Sequence, residues 1–91
     1  MVTPKSSLSI PADVLFHELA GEAVLLNLAT GKYFGLDEVG TRMWQLLAEH
    51  HQTEPVVQAL LQEYDVPEEQ LRSDLLVLVD KLIEHGLVQP A

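Results

Sequence analysis

No cysteine occurs among the 91 residues, which excludes a disulfide framework, a thiolate metal site and a thiol nucleophile. Long apolar runs are absent too. The longest, residues 75–79, has five members, far short of the ~20 that cross a bilayer. The opening stretch MVTPKSSLSIPAD lacks the apolar core of a secretory signal. A soluble, cytoplasmic protein with no membrane partner is the expectation. Aromatic residues are few (Phe16, Tyr33, Phe34, Trp44 and Tyr64), so aliphatic side chains must fill the core. Cations are as few as aromatics: five Lys and Arg stand against fourteen Asp and Glu, for a net charge of −9. That balance opposes nucleic acid and anionic membrane, whose binding is driven by Lys and Arg displacing counterions. It is compatible with a basic or polar peptide partner, and equally with solubility alone.

What is present is 47% apolar residues in a chain long enough for one modest core, hence a single domain. Residues 1–13, with Pro4, Pro11 and three serines, read as a flexible arm or, at residues 8–10, a short edge segment. The domain proper is expected over 14–91. Residues 14–19 read as a first strand, Ala20-Gly21 as a turn, and residues 22–28 as a second strand. That strand is apolar on both faces at Val24, Leu25 and Leu26, as a middle strand would be. Ala29-Thr30-Gly31-Lys32 turns the chain into a third strand, 33–36, with Gly31 free to take positive φ. Phe34 and Leu36 share one face of it, and Tyr33 and Gly35 the other.

After Asp37 the apolar period changes from 2 to 3.6 and stays there. Asp37 is a good N-cap for a first helix over 38–49, buried through Val39, Met43, Leu46 and Leu47 with Trp44 beside them. Thr53 is placed to cap a second helix, which tolerates Pro55 in its first turn. Its buried stripe is Val57, Leu60, Leu61 and Tyr64. The third helix opens at Val66-Pro67, with Glu68 and Glu69 at the positive end of its dipole, and closes at His85-Gly86. Leu87-Val88 is expected to fold back on the core. The third helix has more apolar surface than packing needs. Leu71, Leu75, Leu78, Val79 and Leu82 make one face, whereas Leu76, Val77 and Ile83 fall outside it or at its margin. A second flank of this kind suits either burial by the other helices or a ligand groove.

Catalytic chemistry is not in view. His50 and His51 are adjacent and would point apart on a helix, unlike the i, i+4 pair of a helical zinc site, and His85 has a capping role. No nucleophile stands at a recognisable spacing from a base, and no glycine-rich phosphate loop occurs. The expectation is a non-enzyme with no metal and no cofactor. A sheet followed by three helices is also the inventory of a winged helix-turn-helix module. Its recognition helix would have to be basic, yet residues 67–85 carry five acids against Arg72 and Lys81, which sets them against a phosphate-lined groove.

With Gly21-Glu22, the apolar strand after it, Thr30-Gly31-Lys32-Tyr33-Phe34-Gly35-Leu36, Gly40, Trp44, Asp74-Leu75, Leu78-Val79, Leu82 and Gly86-Leu87 laid out, residues 14–88 resemble the PqqD-like family of leader-peptide-binding domains, the RiPP recognition elements. The resemblance implies an α+β, winged helix-turn-helix-like fold: a three-stranded antiparallel sheet followed by three helices. It also implies no catalysis. Such a domain binds the leader segment of a ribosomally made precursor peptide as a further strand beside the third strand, against the third helix, and presents it to a processing enzyme. Edge pairing then supplies affinity and side-chain pockets supply specificity. The residues expected to bind the peptide are Tyr33, Phe34, Gly35, Leu36, Leu71, Asp74, Leu75 and Leu78. Asp74, on the helix flank, is suited to a leader cation or hydrogen-bond donor. The Leu-Leu-x-Pro-Glu-like segment associated with pyrroloquinoline quinone proteins is lacking. The stretch Thr30–Leu36 looks more like the free-standing leader-binding proteins of lasso-peptide pathways, whose partner is a separate leader peptidase. A peptide chaperone for pyrroloquinoline quinone or another radical-SAM modification is the alternative, with a winged-helix DNA regulator behind it.

Overall fold

The structure, a computed structural model, describes residues 7–90; residues 1–6 of the expected arm lie outside the described residues. Its elements in chain order are β1 (Leu8–Ser9), β2 (Val14–Leu19), β3 (Glu22–Asn27), β4 (Lys32–Leu36), α1 (Glu38–His50), α2 (Thr53–Glu63), α3 (Glu68–Glu84) and β5 (Gln89–Pro90). Between β2 and β3 the chain reverses in two residues, Ala20 and Gly21, both at positive φ (56° and 84°). That is the handedness a two-residue hairpin needs to match strand twist. The next turn ends at Gly31, also at positive φ (74°), with its N–H donating to the Asn27 carbonyl at 2.8 Å. The three strands form one antiparallel sheet in the order β2-β3-β4. Leu25 pairs with Phe16 on one side and Phe34 on the other. Directly opposed residues share a face, so Phe16, Ala23, Leu25, Asn27, Phe34 and Leu36 all look toward the helices.

The helices cover that inner face only. α1 packs against β3 and β4, α2 against α1, and α3 against α2. Leu25, Leu60, Leu75, Val79 and Leu82 are sealed at the centre, and the Phe16 ring lies stacked near Trp44, centroids 6.3 Å apart. Among the described residues nothing covers the outer face. Val24 is a middle-strand residue and still exposed, so the apolar character of β3 on both faces does not mean burial on both. Leu87 and Val88 fold back into the core, and β5 beyond them pairs antiparallel with β1. That pairing draws Leu8 into the core as well.

Three details differ from the sequence expectation. The N-cap position of α2 is Gln52, not Thr53, and its side chain makes no capping hydrogen bond. Gln52 is held extended because it bridges to Ser7, and Thr53 becomes the first, buried residue of the helix. Val56 is completely buried and belongs to the inward stripe of α2. Val39, by contrast, is exposed: it sits in the first turn of α1, where the helix face turns from the sheet toward α3.

Candidate functional site: a groove along an edge strand

Among the described residues β4 pairs with β3 alone. In an antiparallel ladder alternate residues turn both main-chain groups toward the neighbour and the rest turn theirs outward. β4 therefore presents unpaired N–H and C=O groups along its free side, which is the template for adding another strand. Beside that edge lies an open groove of about 570 Å³. One wall is Phe34, Gly35 and Leu36 of β4, the floor is Asp37 with Val39, Gly40 and Met43 of α1, and the far wall is Asp74, Val77, Leu78 and Lys81 of α3.

Local chemistry fixes each wall. Asp37 ends β4 and starts α1 by accepting the Gly40 N–H at 2.7 Å, which satisfies one of the free donors of the first turn. A Cβ on Gly40 would stand 3.1 Å from that same Asp37 Oδ1, so the missing side chain lets the cap close and keeps the floor low. The end of α3 is tied to the sheet by Asn27, a buried polar residue. Its Nδ2 donates to the Gly86 carbonyl at 3.0 Å, and its Oδ1 accepts the Ala29 N–H at 2.9 Å. Gly86, at φ 70°, ends α3 in the left-handed conformation common at C′. Next to it the His85 ring meets Phe34 edge-on, centroids 5.2 Å apart. The last turn of α3 is thereby pinned beside the start of β4, and the groove opens from there along the helix.

Of the sequence-predicted residues, Phe34, Gly35, Leu36, Asp74 and Leu78 line this groove. Tyr33 does not: its side chain projects from the outer face of the sheet, 74% exposed. Leu71 and Leu75 are in the core, 3% and 1% exposed. Asp74 is exposed and steadied by Gln70 Nε2, which lies 3.2 Å from both carboxylate oxygens. Val77 and Lys81 line the groove too; the expected binding set omitted both, although Val77 was already placed on the second apolar flank of the helix. The available signal was spacing, since 74, 77, 78 and 81 are an i, i+3, i+4, i+7 set and therefore one stripe of a helix.

The guanidinium groups are engaged elsewhere. Arg72 binds Glu54 and Glu68, and these hydrogen bonds raise its pKa above the ordinary arginine value. Arg42 binds Glu63 through two nitrogens at 2.8 and 2.7 Å, which raises Arg42 and lowers Glu63 from their ordinary values. Among the described residues no group of three His, Asp or Glu is arranged to hold a metal ion, and no helix is long and apolar enough to cross a membrane.

The fold has counterparts among solved structures. One, described as TbiB1 in complex with the TbiA(beta) leader peptide, is 39% identical over 88% of this chain and 93% of that one, with a TM-score of 0.83. Another, described as lasso peptide synthetase B1 complexed with the leader peptide, is 26% identical over 93% of this chain and all of that one, also at a TM-score of 0.83. No curated protein sequence matches the chain. The family model for coenzyme PQQ synthesis protein D matches residues 22–88. That match spans the sheet edge, the groove and the Asn27–Gly86 tie that closes it, and the chain belongs to the PqqD family.

Proposed function

We propose that this protein is a non-catalytic binding domain for the leader segment of a ribosomally made lasso-peptide precursor, which it delivers to a separate leader peptidase. The observation that carries the reading is the free edge of β4 lying against an apolar groove. The leader adds as a strand along Lys32–Leu36, giving main-chain hydrogen bonds, and drops alternate side chains onto Phe34, Leu36, Val77 and Leu78. Asp74 at the rim takes a leader cation or donor. Leu71 and Leu75 contribute from the core by holding α3 in place, and Tyr33 contributes through its main chain. The two similar structures, both solved with leader peptides, support the same reading. The protein's part is affinity and presentation; the bond-breaking groups belong to the partner.

Isothermal titration with the leader segment of its cognate precursor should show one-to-one binding, roughly micromolar to nanomolar for an interface at the small end of the usual range. Asp74→Ala should weaken it by about 1–2 kcal/mol with unchanged thermal stability. NMR shift mapping should place the largest perturbations on β4 and on the 74–81 stripe of α3. Perturbations confined to α2 and the outer sheet face would reject this placement, and cleavage of the precursor by the purified protein alone would reject the non-catalytic reading.

A further inference from the structure

The groove is electrically polar along its length. Phe34 touches His85, so the C-terminal turns of α3 lie by the start of β4, and helix and strand run in opposite senses along the groove. Lys81 lines it one turn before His85, while Asp74 lines it two turns further back, toward the Leu36–Asp37 end where Asp37 adds a second carboxylate. Lys81 is exposed and makes no ion pair among the described residues. In a chain of net charge −9, an ammonium left unpaired on the wall of a groove is an unusual placement. The hollow just past the Phe34–His85 contact, lined by Thr30, Lys32, Glu84, His85 and Gly86, adds Lys32 on the same side against one carboxylate, Glu84.

Resting on the leader-binding reading, we propose that Lys81 is a specificity residue that pairs with an acidic side chain of the leader, and that the opposition of Lys81 to Asp74 sets the leader's direction and register. The two charges stand seven positions apart on the helix, about 10.5 Å along the axis. An extended segment turns every second side chain to one face and advances about 3.3 Å per residue. Three successive side chains on that face then span about 13 Å, a length that the flexible Lys81 stem can match. The leader motif is therefore a cation or donor against Asp74, an apolar residue over Val77 and Leu78, and an acid against Lys81, at positions i, i+2 and i+4. A segment laid in the reverse direction or shifted by one residue puts its acid beside Asp74 and Asp37, or on the outer face. Like-charge juxtaposition of this kind is how an interface rejects a wrong register.

The test is a charge swap read by titration calorimetry on the full chain. The probes are the leader peptide named above and a panel in which each of its Asp and Glu residues is replaced by Lys in turn. Lys81→Gln should weaken the native leader roughly threefold, as for an exposed pair, and Lys81→Glu about tenfold or more, as attraction becomes repulsion. One acid-to-Lys leader variant, and only one, should recover the affinity of Lys81→Glu to within about threefold of the native pair. The native pair should also show a steeper salt dependence than Lys81→Gln. Equal affinity of the native leader for wild type, Lys81→Gln and Lys81→Glu would overturn this assignment while leaving leader binding intact. Equal rescue by every Lys variant would overturn it as well, by showing a general charge effect. No binding of the leader to the wild-type chain would overturn the parent reading and this one together.

Discussion

Removing the Asn27 side chain should unfasten α3 from the sheet. Asn27 is 6% exposed and spends both ends of its amide: Oδ1 accepts the Ala29 N–H inside the β3–β4 turn, and Nδ2 reaches the Gly86 carbonyl at the end of α3. Each such bond is worth a net ~0.5–1.5 kcal/mol, so deleting two removes about 1–3 kcal/mol. Ala29 and Gly86 are themselves exposed, and water reaches the groups left behind. The middle of that range, about 2 kcal/mol, is therefore expected for Asn27→Ala. At about 4–8 °C per kcal/mol for a domain of this size, the melting temperature should fall by roughly 8–16 °C.

Asn27→Asp separates the two bonds. It keeps the acceptor for Ala29 but aims a carboxylate at the Gly86 carbonyl, so at pH 7 it should be at least as destabilising as alanine. The folded state then favours the protonated acid, which can donate to that carbonyl, and the aspartate's folded pKa is raised. The sign follows: relative to wild type, the variant regains stability as pH falls through the carboxylate range and loses it as pH rises. Urea unfolding followed by circular dichroism at pH 7 and at low pH measures all of this. An Asn27→Ala protein within about 0.5 kcal/mol of wild type, the level of an ordinary surface substitution, would refute the claim that this amide ties the helix to the hairpin.

Ala20 occupies a left-handed conformation (φ 56°) in a two-residue hairpin turn, a position that disfavours an L residue with a Cβ; Ala20→Asn, a favoured residue there, should raise stability by roughly 0.5–1 kcal/mol in thermal or urea unfolding. Glu63 has its pKa lowered chiefly by the hydrogen bond from Arg42, so the stabilisation it brings is complete above the ordinary glutamate value and fades as pH falls through the lower folded one. Both side chains are more than a third exposed, which limits the pair to the surface level of about 1 kcal/mol or less. Acid titration of Arg42→Gln against wild type should show the difference above about pH 5 and its disappearance in stronger acid.

Most of the fold was legible because its signals are local. Two glycine-bearing turns fix the hairpins, an aspartate marks the start of α1, and a His-Gly pair marks the end of α3. Apolar spacing separates strands from helices between them. The misplaced details are those set by distant partners. Gln52 takes the N-cap position of α2, bridged in extended conformation to Ser7, far away in sequence. Val24 sits in a middle strand and yet faces solvent, because nothing in the pattern of one strand says how many layers will cover the sheet.

The site was less legible than the fold, and α3 shows why. A helix that lies over a core and also walls a groove must serve two faces, and its apolar residues then run almost all the way round it. In such a run the residues that face the core and those that face a ligand are chemically alike. Leu71 and Leu75 were expected at the site and lie in the core, while Val77, 51% exposed, lies in the groove. The polar residues carry the distinction instead. Asp74 and Lys81 bracket Val77 and Leu78 on one stripe, and neither has a place in a core. An apolar pair framed by opposite charges at i and i+7 is thus what a groove-facing helix stripe looks like when the core behind it is already filled.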